Sequence, residues 1–147
     1  MTITVTDAPA QTVHDFLDAF GRRDVAAAVS LAAADVSVVV YPLGVRGTGH
    51  AALRPVLADI ASAFPDLRLT VQRVITTGDV VTALVKVEGT QAGEYARAVN
   101  QEKHVDLDEA WRFTVTGGAI TAVSAYWCQQ QLYRRLAVKR FDQIAIV

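Results

Sequence analysis

Residues 104–113 read HVDLDEAWRF. Three carboxylates stand in a stretch that otherwise has the character of a β-strand, where acids are disfavoured. Successive strand side chains face opposite sides. One set over 104–115 is Val105, Leu107, Glu109, Trp111, Phe113 and Val115, apolar except for the glutamate; the other is His104, Asp106, Asp108, Ala110, Arg112 and Thr114. Unless a bulge shifts the register, Glu109 faces the core and the two aspartates face solvent. A carboxylate among apolar groups is costly when ionised, so its pKa should rise. That makes Glu109 a candidate general acid or base, or a proton donor to an oxyanion. The alternative is a structural glutamate paired with a buried arginine or tyrosine.

Other side chains could join it. Tyr41 precedes Pro42-Leu43-Gly44 and shares parity with Ser37 and Val39; its hydroxyl could donate to a carbonyl or epoxide oxygen, or simply find a backbone partner. Trp127 shares parity with Val123 and Ala125 and could stack on a flat ligand, and Trp111 shares the face of Glu109; either could equally be a core aromatic. Phe16 is expected in the core or in a pocket wall. Arg46 and His50 flank the glycine-rich turn GVRGTGH, where a pocket mouth or plain solvent exposure are the choices. His104, outward by parity, reads as inert, and His14, beside the apolar stripe of the first helix, as structural or exposed. With the three histidines scattered, no metal site is expected. Cys128 lacks a histidine partner for thiolate chemistry. Neither GxGxxG nor a P-loop appears, so no cofactor is expected.

The elements that must position these residues follow from periodicity. Val13, Phe16, Leu17 and Phe20 mark a first helix, with Asp7 and Pro9 as its start and Gly21 as its stop. A second helix runs from Asp24, with Val25, Ala28, Val29 and Ala32 on one face. VSVVVYPLG (36–44) is a strand. Leu53, Val56, Leu57, Ile60 and Phe64 mark a third helix, ended by Pro65-Asp66. The period then changes to two: 67–75, 80–89, 104–115 and 119–127 read as strands, with Gly78-Asp79 and Gly117-Gly118 as turns. Residues 89–103 form a long hairpin arm or loop, and a helical turn is expected around Leu132 and Leu136. Helices followed by a meander predict an α+β fold, a mostly antiparallel sheet with about three helices against one face; if the sheet curls, its concave face and the helices enclose a pocket. One domain is expected over 1–147, with 1–9 and 138–147 as extended tails.

Bulk properties narrow the function. In 147 residues, 14 basic and 15 acidic side chains nearly cancel, so nothing points to nucleic acid. No apolar run reaches the roughly 20 residues of a membrane helix. The start MTITVTDAPAQ lacks the pattern of a signal peptide, and Cys128 is the lone cysteine; a cytoplasmic protein is the expectation. A large open sheet with an apolar outer face, and the apolar tail FDQIAIV, predict a homodimer.

The order helix–helix–strand–helix–meander, with FPDL (64–67), GTQAGE (89–94), EAWRF (109–113) and AYW (125–127), resembles the SnoaL-like and ketosteroid-isomerase-like families over roughly residues 10–136. Both share the α+β cone of nuclear transport factor two. The resemblance implies that the acidic oxyanion donor of the steroid isomerases falls on Glu109 and their pocket tryptophan on Trp127. Their aspartate base, before Pro-x-Gly, falls on Tyr41, and their first-helix tyrosine on Phe16. The pocket histidine of the SnoaL-type cyclases falls on Glu109, their catalytic aspartate near Ala125, and another aspartate of relatives on Cys128. The usual bases are thus absent. What the resemblance implies is a cofactor-independent cyclase or isomerase acting by acid–base chemistry on a hydrophobic, polyketide-like or polycyclic molecule of secondary metabolism. A cofactorless hydroxylase, an epoxide-opening cyclase and a non-catalytic ligand carrier or accessory module stay open beside it.

Overall fold

The computed structural model describes residues 7–139; the tail FDQIAIV lies outside them. Helix α1 (Ala8–Gly21) buries Val13, Phe16, Leu17 and Phe20, the stripe that its sequence spells. Pro9 lies in its first turn, but the Asp7 side chain makes no capping bond. Gly21 is still helical, and the left-handed turn that reverses the chain falls on Arg23 (φ 62°). Asp24 does cap α2 (Val25–Ser30), accepting from the Ala27 amide at 3.1 Å. Ala32, expected on that helix, instead opens strand β1 (Ala32–Val40).

After β1 a 3₁₀ turn, Tyr41–Leu43, ends on left-handed Gly44. The glycine-rich segment that follows is not all turn. Val45–Thr48 forms β2, paired antiparallel with β1 from Ser37↔Thr48 to Val40↔Val45. Helix α3 (His50–Ala63) buries Leu53, Val56, Leu57 and Ile60. Strands β3 (Arg68–Thr77), β4 (Val80–Thr90), β5 (His104–Thr116) and β6 (Ala119–Tyr126) follow, then the short helix α4 (Gln129–Arg135) with Leu132 buried.

The six strands form one sheet in the order β2-β1-β6-β5-β4-β3, antiparallel except for β1 beside β6. This is the α+β, mostly antiparallel architecture expected from the sequence. Helix α1 packs on β3, β4, β5 and β6, α3 on β1 and β2, and α4 on β5. The helices therefore share one face of the sheet, and the core lies between. Register shifts occur in β1–β6, β3–β4 and β5–β6, but β4 and β5 pair without interruption from Val80↔Thr114 to Thr90↔His104. That unbroken ladder carries the alternation of β5 through Glu109. Val105, Leu107, Glu109, Trp111, Phe113 and Val115 are all buried, while Asp108 is exposed and Asp106 meets Lys86 at 3.4 Å across the outer face.

Candidate active site

Glu109 lies opposite Val85 of β4 with its side chain under the helices. Two residues along the same face, the Trp111 indole donates Nε1–H to Glu109 Oε1 at 2.9 Å. Among the described residues no Lys, Arg or His forms an ion pair with the carboxylate. An arginine partner, one form of the structural alternative, is thus absent among the described residues, while Tyr95 faces the same cavity and interacts electrostatically with the carboxyl. Burial raises the Glu109 pKa from 4.5 to about 7, against the smaller opposing effect of the Trp111 hydrogen bond. At neutral pH both protonation states are populated, the condition that best suits a proton-transfer group.

The carboxyl opens on a small cavity walled by Phe20, Ile60, Phe64, Val87, Leu107 and Leu132, with Tyr95 across it. A water-sized sphere finds only about 20 Å³ of room there, space for a single water. Apart from Glu109, Tyr95 and the neighbouring Glu88 the lining is apolar, and the interior is nearly filled. Tyr95 also borders a larger, polar cleft of about 460 Å³, lined by Asp59, Glu94, Arg97, Gln129 and Tyr133. Desolvation pushes the Tyr95 hydroxyl well above its ordinary pKa, with the charges of Glu109 and Asp59 adding to the effect.

A SnoaL-like domain model matches residues 13–123. The chain belongs to the SnoaL-like family. Solved structures of similar fold include a proposed SnoaL-like polyketide cyclase from Jannaschia sp. CCS1 (16% identity, 95% of this chain and 99% of that one, TM-score 0.80). AclR, a proposed hydroxylase from Streptomyces galilaeus, is 17% identical over 90% of this chain and 97% of its own, TM-score 0.78. TerC, co-crystallised with polyporic acid, is 20% identical over 89% and 99%, TM-score 0.73. At these identities the likeness is one of fold. No curated protein matches the sequence.

Of the candidates drawn from the sequence, Glu109 is the one that the SnoaL-like domain places at this cavity. Trp111 is fully inside, but as part of an aromatic cluster, with ring centroids 5.8 Å from Phe20, 6.5 Å from Phe16 and 6.2 Å from Phe113. Its contribution to the site is the indole N–H on Glu109. Phe16 and Ala125 are buried core residues, Ala125 lying opposite Trp111 in the β5–β6 ladder; neither borders the cavity.

Four placements are corrected. Trp127 does not wall the interior. Strand β6 ends at Tyr126, so alternation stops before it; the ring lies beside Leu84, Ala110 and Tyr126 in an outer depression and donates to Gln129 Oε1 at 2.9 Å. Tyr41 points away from the cavity. The buried set of β1 is Val36, Val38 and Val40, which leaves Tyr41 with the outward parity, 49% exposed and stacked on Tyr126 at 4.7 Å. Arg46 is not at a pocket mouth: its guanidinium covers the outer Tyr41 ring at 5.5 Å. His50 starts α3 and ties its Nε2 to the Ala32 carbonyl at 2.8 Å, a structural bond between helix and strand. Conversely, Tyr95 has no periodic signal in the sequence. Its mark is being the single aromatic in residues 91–103.

Proposed function

We propose that this SnoaL-like protein is a cofactor-independent cyclase or isomerase of hydrophobic, oxygenated small molecules of the polyketide-like or polycyclic kind, with Glu109 as its proton-transfer group. The observation that carries the reading is a carboxyl with no cationic partner among the described residues, in an apolar cavity and with a pKa near neutrality. Ionised, Glu109 takes a proton from the carbon beside a carbonyl. The enolate attacks a second carbonyl carbon to close a carbon–carbon bond, and the proton returns to the new alkoxide. For isomerisation the same proton returns to a different carbon. No electron acceptor or co-reactant is consumed in either case. Trp111 holds the carboxyl in place, and the dry wall strengthens every charge interaction at the reacting atoms.

The relatives of similar fold support the substrate class: one is a proposed polyketide cyclase, and another was crystallised with polyporic acid. The test is turnover of a panel of β-dicarbonyl polyketide mimics and polycyclic enones. Glu109→Gln should lower kcat/KM by roughly 10²–10⁴ with folding intact; an unchanged rate for the folded variant sinks the assignment. A second reading, a non-catalytic ligand or partner module, is favoured by the narrowness of the cavity. It predicts ligand binding without turnover in both the native protein and Glu109→Gln.

A further inference from the structure

The cavity at Glu109 has room for about one water, too little for a substrate, and Tyr95 is on its wall. Tyr95 borders both the one-water cavity at Glu109 and the 460 Å³ polar cleft outside. It is buried, and on one side it leans edge-on against Phe64, with ring centroids 5.4 Å apart. The backbone that carries it is held firmly. Tyr95 and Ala98 exchange two hydrogen bonds, at 3.2 and 2.7 Å, around Ala96 and Arg97. Both of those central residues are left-handed, with φ of 50° and 66°, a conformation that non-glycine residues keep only when their surroundings impose it.

The surroundings do so by name. Buried Gln91 donates to the Ala98 carbonyl at 3.1 Å and accepts from the Gln101 amide at 3.2 Å. Tyr133 Oη donates to the Ala96 carbonyl at 2.7 Å, and the Ala92 amide to that of Ala63 at 2.8 Å. The turn is thus anchored to α3, to α4 and to its own base, and no hydrogen bond in that set is made by the Tyr95 side chain.

We propose that Tyr95 is a side-chain gate. Its rotation joins the Glu109 cavity to the outer cleft, and the joined space takes an elongated amphiphilic molecule. A flat apolar end carrying a carbonyl enters among Phe20, Phe64, Leu107 and Leu132 to meet Glu109. A hydroxyl- or carbonyl-rich end stays outside at Asp59, Gln129 and Tyr133. The division follows the linings, apolar within and polar without. The ligand selects a minor, open rotamer of the tyrosine. The identity of the inner end rests on the acid–base reading of Glu109; the gate itself does not.

The probe is Prodan, a neutral naphthalene bearing one ketone, whose fluorescence reports a dry environment. Tyr95→Leu, shown to be folded by a cooperative thermal transition, should bind Prodan at least fivefold more tightly than the native protein. Val87→Phe, which refills the vacated space from the cavity wall, should cancel that gain. Adding Glu109→Gln to Tyr95→Leu should leave the gain in place, so that a failure of the acid–base reading is read separately from a failure of the gate. Affinity of the folded Tyr95→Leu protein within twofold of native, or a gain that survives Val87→Phe, overturns the proposal. In the native sequence carrying 3-fluorotyrosine, saturating Prodan should shift the Tyr95 fluorine resonance; a resonance that stays still at saturation overturns it without any variant.

Discussion

Glu109 owes its high pKa to what surrounds it, and the consequence for stability has a definite sign. In the folded chain the group holds its proton up to about pH 7, whereas unfolded it releases the proton near 4.5. Between those values the native state binds more protons, so stability falls as pH rises, with full stability below 4.5 and the loss complete above about 7. The loss is on the order of 3 kcal/mol. Urea unfolding at pH 4.5 and at pH 8 should reveal it, and Glu109→Gln should remove most of the difference; an equal pH dependence in both proteins would mean that the carboxyl is ordinary. Trp111→Phe keeps an aromatic in the cluster but deletes the donor that favours the ionised form, so the Glu109 midpoint should move further up in an NMR titration. Glu109 was legible in the sequence because one acid interrupts an otherwise apolar parity. Tyr95 was not, because a loop residue is aimed by hydrogen bonds from distant segments, and no period announces that.

At the scale of elements, alternation is trustworthy only while the ladder lasts. In β5 it is unbroken through Glu109 and the inward set is read correctly. For Trp127 alternation fails past Tyr126, where β6 ends, and the ring lies on the other side from Val123 and Ala125; Tyr41 keeps the outward parity of Ser37 and Val39, and only its resemblance-implied place in the pocket is lost. Strand β2 has no strand signal in the sequence because VRGT has four residues, a single large apolar one and a glycine. The glycine is there for helix packing: a Cβ at Gly47 would lie 2.7 Å from that of Ala52 on α3. Gly89 stands in the same relation to the end of α3, where a Cβ would approach that of Phe64 to 2.9 Å beside the cavity. Gly89→Ala should therefore destabilise the protein by about 1–3 kcal/mol, measured as a shift in urea midpoint at constant slope. A substitution tolerated without loss would mean that α3 and β4 are not as tightly joined as this contact requires.

At the scale of the molecule, among the described residues four helices occupy one face of the sheet, and none covers the opposite face, where Tyr41, Leu84, Ala110, Tyr126 and Trp127 lie. Pairing of two chains through this face is our proposal for its cover, since apolar sheet surface of this kind is seldom left to water. Sedimentation equilibrium should give twice the 15.8 kDa of one chain, and Leu84→Glu should return the single-chain mass; a native mass of one chain at every concentration contradicts the pairing. Among the described residues no helix is long and apolar enough to cross a membrane.

The account turns on one carboxyl that shares its proton with water near neutrality from inside an apolar cavity. A ¹³C titration of the glutamate side-chain carboxyls, with Glu109 assigned by its loss in Glu109→Gln, reads that property with no knowledge of the substrate. The midpoint should fall at about 7. A midpoint at the usual glutamate value near 4.5 would leave Glu109 ionised throughout the physiological range and contradict its assignment as the proton-transfer group.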